Sequence, residues 1–326
     1  MSGEFDLIRQ YFTHRTRHTL LGVGDDAALI RVRRGHVLAI SADMLVEGTH
    51  FFAGADPEAL GHKTLAVNLS DLAAMGATPR WATLALALPK ADARWLAAFS
   101  RGFMRLARTH GVDLIGGDTT RGPLNLCVQI MGEVPAHKAL QRDGARAGDE
   151  VWVSGTLGDA ALAVAARGKK LRLTPLQLAA ASRRLDLPTP RVMLGLALRG
   201  IAHSAIDISD GLLSDLGHLC ERSHVAAAIE LDALPRSRLM RAVAAHIMMP
   251  GVAQDALLSG GDDYELCFTA SPRQHTAVMR VAARARVPVT RIGRIVKAPA
   301  GAVGVAVMDR DGLPLRVTQR GFDHFG

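Results

Sequence analysis

Residues 56–79, DPEALGHKTLAVNLSDLAAMGATP, frame the first half of the chain. Asp56-Pro57 opens a helix, with aspartate as N-cap and proline in the first turn. Leu65, Leu69 and Leu72 keep helical spacing, and Gly76 and Pro79 stop the run. Upstream, His36 to Ser41 reads as a strand ending in Asp43. Downstream, Trp81 to Leu88 alternates as a strand. Ala91 to His110 reads as a second helix, with Trp95, Phe99, Gly102 and Leu106 on one side and Gly111 ending it. Val112 to Ile115 and Leu124 to Met131 complete a set of short strands.

Between Pro135 and Gly148 the pattern breaks into polar, glycine-containing sequence. The domain boundary is placed there, giving domains 1–136 and 137–326. The second half opens with a strand, Glu150 to Val153, and a glycine-rich turn from Ser154 to Asp159, followed by an Ala-rich helix. Ser204 to Ile208 is another strand, running into a helix from Leu212 to Glu221. Glu265 to Thr269 and Val287 to Val296 are further strands. Interleaved strands and helices of this kind predict two α/β or α+β sandwiches.

The chain has 326 residues, 48% hydrophobic and 21% charged, which is ordinary for a folded globular protein and excludes disordered or collagen-like classes. The start, Met1 to Asp6, lacks the basic and apolar segments of a signal peptide. No stretch approaches the ~18 apolar residues of a membrane span. Cys127, Cys220 and Cys267 form neither a CxxC pair nor a zinc spacing. The expectation is a cytoplasmic protein with three reduced, buried cysteines. The net charge of +8 comes without a long basic run or an aromatic stacking motif. It is read as scattered arginine rather than a nucleic-acid footprint.

Aspartates recur beside glycine or serine at expected strand ends and turns. The instances are Gly24-Asp25-Asp26, Ser41-Ala42-Asp43, Gly116-Gly117-Asp118, Asp207-Ile208-Ser209-Asp210 and Gly260-Gly261-Asp262-Asp263. Asp71 joins them from inside the helix. Two like charges 4 Å apart repel by roughly 4 kcal/mol at an effective dielectric of 20. Several gathered in one cleft would need cations, and magnesium takes oxygen ligands and bridges carboxylates to phosphates. Neighbouring glycines let backbone N–H groups approach phosphate. For any single motif a turn or cap role is the simpler explanation, and for Asp207 and Asp210 helix capping is a direct rival. The repetition favours the site. There is no P-loop, no kinase HRD or DFG set and no GxSxG elbow. Gly22 to Ala27 matches the GxGxxA fingerprint only weakly, since its two acids would repel a pyrophosphate and no clean helix follows.

These motifs in this order resemble the thiamine-monophosphate kinase family. The resemblance runs from Glu4-Phe5 to the tail Gly321-Phe322-Asp323-His324-Phe325. It is most specific at residues 63–79, at 116–123 (GGDTTRGP), at 205–219 (AIDISDGLLSDLGHL) and at 259–268 (SGGDDYELCF). It implies a two-domain fold similar to aminoimidazole ribonucleotide synthetase and selenophosphate synthetase. The N-terminal sheet would form a barrel with its twin in a homodimer, the C-terminal domain would be an α/β sandwich, and ATP would sit between the domains. It implies direct transfer of the γ-phosphate of ATP to thiamine monophosphate, with several magnesium ions. A potassium requirement is left open, and neither nucleic acid nor membrane is an expected partner.

By motif, Asp26, Ser41, Asp43, Asp71, Asp118, Asp207 and Asp210 look like magnesium ligands, with Ala42 offering only backbone. Asp71, Asp118 and Asp210 are expected to carry the catalysis. Gly117, Asp118, Arg142 and Ser209 look like ATP contacts, and His50, Asp262 and Phe322 like the thiamine side. Asp262 stands where the family often has Glu, Phe322 where Tyr or Trp is usual, and Ala42 where Thr is common. The first two departures bear on thiamine recognition, not on phosphoryl transfer. A ring-closing synthetase of the same fold and a non-catalytic magnesium-nucleotide sensor are the rival readings. The 259–268 segment and the tail argue against the first, and the full acidic set against the second.

Overall fold

A computed structural model of the chain describes residues 4–245, 250–298, 303–317 and 321–322. The opening Met1 to Gly3 and the tail residues Asp323, His324 and Phe325 lie outside the described residues. Two compact units emerge: Met1–Leu72 with Ala77–His137, and Ala73–Gly76 with Lys138–Gly326.

The first unit contains α1 (Glu4–Leu7), β1 (Thr19–Leu21), β2 (Leu29–Ile30), β3 (His36–Val46), α2 (Pro57–Ala74), β4 (Thr78–Leu88), α3 (Ala93–His110), β5 (Asp113–Arg121) and β6 (Asn125–Pro135). The last four strands form a sheet in the order β3-β6-β4-β5. Only the β4–β5 pair is parallel.

The Asp56 carboxylate accepts the Ala59 N–H at 2.9 Å, starting α2 as its sequence dictates. Leu65, Leu69 and Leu72 are buried, but so are Lys63, Thr64, Asn68 and Ser70. Polar groups on so buried a helix need partners. Thr64 donates to the Leu60 carbonyl at 2.7 Å, and Asn68 donates to the Thr64 carbonyl at 3.1 Å. Helices α2 and α3 cross at backbone distance. A Cβ at Gly102 would stand 1.9 Å from the Glu58 carbonyl oxygen, and one at Gly61 would stand 2.1 Å from that of Phe99. Helix α3 starts at Ala93 rather than Ala91, because Asp92 caps it by accepting the Arg94 and Trp95 N–H groups. Glu133 of β6 is buried and accepts the Arg33 N–H at 2.7 Å and Arg80 Nε at 3.0 Å.

The strands are longer than the sequence pattern suggests. β3 carries on through Asp43 to Val46. β5 runs through Gly116-Gly117-Asp118, which therefore lies within a strand rather than at a turn. The irregularity that glycine signals is present as a register shift between Ala82 and Thr83 of the neighbouring β4.

The second unit contains β7 (Glu150–Ser154), α4 (Asp159–Arg167), α5 (Pro175–Asp186), α6 (Val192–Leu198), β8 (Ser204–Ile208), α7 (Leu212–Ser223), β9 (Ala226–Glu230), α8 (Arg238–Ala244), α9 (Pro250–Ser259), β10 (Glu265–Ala270), α10 (His275–Ala285), β11 (Val289–Val296) and β12 (Gly304–Met308). Its sheet has the order β12-β9-β11-β7-β10-β8, antiparallel except for β12 on β9. Val151, Val153, Ile206, Ile208, Leu216, Leu219, Leu257 and Ile292 fill the core. Glu265 is fully buried, where Ser154 Oγ reaches it at 2.6 Å, Arg184 Nη2 at 2.8 Å and Arg191 Nε at 2.6 Å. Cys220 and Cys267 are buried free thiols, whereas Cys127 is only half-buried on β6. No described helix is long and apolar enough to cross a membrane.

Candidate functional site

In the first unit an open pocket of about 830 Å3 is lined by Gly24, Asp25 and Asp26 from one loop and by Gly116, Gly117 and Asp118 from β5, with Arg9 and Thr13 also on its wall. Gly117 has φ 149°, and a Cβ there would stand 1.8 Å from the Leu84 carbonyl oxygen, so a side chain is excluded. The loop is followed by β2 rather than a helix, so no Rossmann-type turn forms at Gly22 to Ala27.

A second group gathers where β3 meets α2. Ser41 Oγ donates to Asp71. The Asp43 N–H donates to Asn68 Oδ1 at 3.2 Å. The Val46 N–H donates to His50 Nδ1 at 3.0 Å, so the neutral His50 ring carries its proton on Nε2. The buried Lys63 ammonium donates to the His50 carbonyl at 3.2 Å. The two groups stand at opposite edges of the sheet. The register lines up Asp118, Ala85, Cys127 and Met44 in one row across β5, β4, β6 and β3.

In the second unit β8 ends in the turn Ser209-Asp210-Gly211. Neither Asp207 nor Asp210 caps α7. Asp207 lies inside β8, and the N-cap is Gly211, with φ 118° and no side-chain bond. The turn is held from inside the helix instead. Asp215 Oδ2 accepts the N–H groups of Ser209, Asp210 and Gly211, each at 3.1 Å. Burial, together with the Asp207 and Asp210 charges, pushes the Asp215 carboxyl up to about 8 against the pull of these N–H groups. Sequence reading missed Asp215. The available signal was an acid in the first turn of a helix preceded by Asp-Gly.

The segment after α9 closes on the same turn. The Asp262 N–H donates to the Ser209 carbonyl and the Tyr264 N–H to the Ile208 carbonyl, both at 2.8 Å. Asp262 and Tyr264 take left-handed φ of 66° and 49°. The Tyr264 hydroxyl donates to Asp262 Oδ1 at 3.3 Å. Between them, Asp263 turns inward and accepts the Gly158 N–H at 3.0 and 2.8 Å, with burial pushing its carboxyl well up. The Phe322 N–H donates to the Asp210 carbonyl at 3.0 Å, and its side chain is 53% exposed. Asp210, Asp262 and Phe322 thus gather at one turn. Arg142 sits at the other end of β8, where the Gln141 carbonyl accepts the Ala205 N–H. Ser209 lies four residues further, about 13 Å along an extended strand.

Two parts of the AIR synthase related family match this chain, the N-terminal domain over residues 24–134 and the C-terminal domain over residues 146–306. A thiamine-monophosphate kinase from Salmonella typhimurium strain LT2 is 46% identical over 99% of this chain and 98% of its own length. The chain belongs to the thiamine-monophosphate kinase family. The crystal structure of a thiamine-monophosphate kinase from Stenotrophomonas maltophilia K279a is 49% identical, covers 91% of this chain and 92% of its own, and superposes with a TM-score of 0.83. The structure of AaThiL complexed with AMPPCP and TMP is 31% identical, covers 93% of this chain and 92% of its own, and has a TM-score of 0.77.

Magnesium, implied for a thiamine-monophosphate kinase, is compatible with the residues present. The donor set is all hard oxygen, and at the turn after β8 burial, together with repulsion from the Asp207 and Asp210 charges, raises the Asp215 carboxyl to about 8. A cation would relieve that repulsion. Among the described residues no three acidic, histidine or cysteine groups stand close enough to hold a metal ion by themselves. Ligands from substrate phosphates or from further protein groups would complete such a sphere.

Proposed function

We propose that this chain phosphorylates thiamine monophosphate to thiamine diphosphate, using ATP as donor. The observation that carries the reading is the match to a thiamine-monophosphate kinase over essentially the full length of both chains. The likeness to AaThiL, whose structure holds AMPPCP and TMP together, supports the pairing of these two substrates.

Phosphoryl transfer needs alignment and charge neutralisation more than a covalent nucleophile. The acceptor phosphate is already largely ionised near pH 7, since its second pKa is about 6, so no strong general base is needed. Residues 1–136 supply the phosphate-facing backbone at Gly24 to Asp26 and Gly116 to Asp118, both on the wall of one pocket. Asp26, Ser41, Asp43, Asp71, Asp118, Asp207 and Asp210, with the Ala42 backbone, would hold magnesium. Magnesium held there would neutralise charge on the phosphate oxygens. The backbone of Gly117, the Asp118 carboxylate, the Arg142 guanidinium and the Ser209 hydroxyl bind ATP, with the arginine suited to phosphate by its forked donors. Residues 137–326 complete the site. His50, Asp262 and Phe322 orient thiamine monophosphate, and Phe322 offers an exposed aromatic face. Asp71, Asp118 and Asp210 hold the reacting phosphates in line. The protein acts as a cytoplasmic homodimer.

The test is chromatography of purified protein with ATP, magnesium and thiamine monophosphate. Thiamine diphosphate is expected one-for-one with ADP, and only with magnesium. ATP turnover with a different phosphorylated acceptor alone would move the substrate, and no turnover with any acceptor would refute the reading.

A further inference from the structure

Between α9 and β10 two adjacent aspartates face different surroundings. Asp262 joins the turn after β8, where its N–H donates to the Ser209 carbonyl at 2.8 Å. Asp263 is 3% exposed and reaches the start of α4 instead, where its two carboxylate oxygens lie 3.0 and 2.8 Å from the Gly158 nitrogen. The residues on either side of Asp263 both have left-handed backbone, with φ 66° at Asp262 and 49° at Tyr264. A residue with a Cβ adopts that region at a cost, which the short polar side chain of aspartate eases and the ring of tyrosine does not. Two such residues flanking one carboxylate persist only where the surroundings over-determine them.

Asp262 and Tyr264 are tied to the end of β8, the second through its N–H on the Ile208 carbonyl at 2.8 Å. Asp263 ties the centre of the segment to a different element. Its partner Gly158 is the N-cap of α4, where N–H groups lack intrahelical acceptors and favour a carboxylate. Gly158 has φ 86°, and a Cβ there would stand 2.5 Å from Met240 Cε and 2.8 Å from the Ala256 carbonyl oxygen. The anchor point is therefore packed closely by α8 and α9 and has little room to follow a displaced Asp263. Glu265, held by Arg184 Nη2 at 2.8 Å and Arg191 Nε at 2.6 Å, fixes the downstream end of the segment.

We propose that Asp263 is a positioning residue for the acceptor substrate: anchored on the N-terminus of α4, it holds the segment from Asp262 to Tyr264 in its left-handed form and so aims the Asp262 carboxylate at thiamine monophosphate. The Tyr264 hydroxyl, 3.3 Å from Asp262 Oδ1, steadies the aimed group. The Asp263 carboxylate is itself enclosed and acts through Asp262 rather than on the substrate. This inference rests on the kinase reading above, with Asp262 on the thiamine side of the site. Without the anchor the segment relaxes out of the left-handed region and carries the Asp262 side chain with it. Ser209 and Asp210 stay in place, because Asp215 holds their N–H groups from α7. The loss therefore falls on the binding of thiamine monophosphate and not on that of ATP.

The experiment measures steady-state thiamine diphosphate formation by the full-length chain, varying thiamine monophosphate and ATP in turn. The variants are Asp263→Asn, Asp262→Gly and the two combined. Glycine at 262 keeps the left-handed backbone without strain and removes the carboxylate. Asp263→Asn is expected to raise KM for thiamine monophosphate about 10-fold, the scale of one charge-assisted hydrogen bond. KM for ATP should stay within about 2-fold of wild type, since Asp263 has no part in its binding. In the Asp262→Gly background, Asp263→Asn should change KM for thiamine monophosphate by less than about 2-fold, because no carboxylate remains to be aimed. A merely structural role would leave the effect of Asp263→Asn the same in both backgrounds, and that result would overturn the proposal. So would an equal rise in both KM values, or no rise in either. Asp263→Glu keeps the charge but is one methylene longer, and it must show the same split between substrates if Asp263→Asn does not fold; an unchanged KM for thiamine monophosphate there would overturn the proposal too. Asp262→Gly with a wild-type KM would take Asp262 off the substrate and sink the inference alone, whereas an inactive wild-type protein would refute the kinase reading itself.

Discussion

Replacing Asp215 by alanine tests whether the turn after β8 works as a fixed platform. One carboxylate oxygen accepts three consecutive N–H groups at 3.1 Å, and these belong to Ser209, Asp210 and Gly211. Alanine leaves them without that acceptor in a site too enclosed for free hydration, since Asp215 is only 4% exposed and Gly211 is buried. A buried donor that loses its acceptor costs about 1–3 kcal/mol. Removing a buried carboxyl group also removes the cost of burying it and returns part of this, so a net loss of about 2 kcal/mol in stability is expected. The effect on turnover should be larger. The turn sets the positions of Asp210 and Ser209, and a displacement of about 1 Å at a reacting group costs about 100-fold in rate. Asparagine keeps the shape and an acceptor oxygen, so Asp215→Asn should remain within about 10-fold of wild type. The assay is thiamine diphosphate formation at saturating ATP, magnesium and thiamine monophosphate, with thermal unfolding on the same samples. A folded Asp215→Ala protein with turnover within about 3-fold of wild type would refute the platform argument.

Asp71→Asn should fold normally and lose about 100-fold or more in turnover at saturating magnesium, because it removes charge but not shape beside Ser41; near-normal kinetics would take Asp71 out of the site. Gly102→Ala should destabilise the protein by about 2–3 kcal/mol in urea unfolding, since the new methyl would stand 1.9 Å from the Glu58 carbonyl oxygen and overpacking has costs of this order; an unchanged midpoint would show that the crossing yields without cost. For Glu133, burial favours the neutral form, but the Arg33 N–H and the Arg33 and Arg80 side chains outweigh it and hold the carboxyl below its usual value of 4.5. A depressed carboxylate stabilises the fold above its unfolded pKa, and that stability is lost as the pH falls through the folded value. Glu133→Gln should therefore lower the unfolding temperature at pH 7 and narrow its gap to wild type below about pH 4; an equal gap at both pH values would contradict this.

The helix after Asp56-Pro57 was legible because its cap and its leucine spacing are local signals, and both appear in the structure. The burial of Lys63, Asn68 and Ser70 was not legible, because it depends on β3 packing against the helix. The glycine–aspartate runs identified the segments that line the pocket and meet at the Ser209 turn, but not their conformation. Gly116-Gly117-Asp118 reads as a turn by composition, yet it continues a strand in which Gly117 passes against the Leu84 backbone. At β8 the capping rule looks for an acceptor before the helix, whereas here Asp215 reaches back from the first turn. The separation of Asp43 from Asp118 follows from strand order, which no stretch of sequence states locally.

The buried carboxylate of Glu265 gives the second unit a mechanical character of its own. It joins the first residue of β10 to Arg184 on α5, to Arg191 just before α6 and to Ser154 at the end of β7. Swinging α5 away would take Arg184 from the buried Glu265 carboxylate, and breaking a buried ion pair costs about 3–5 kcal/mol. Amide protons of α5 should therefore exchange with deuterium at rates close to those of β10 rather than at the rates of an ordinary outer helix.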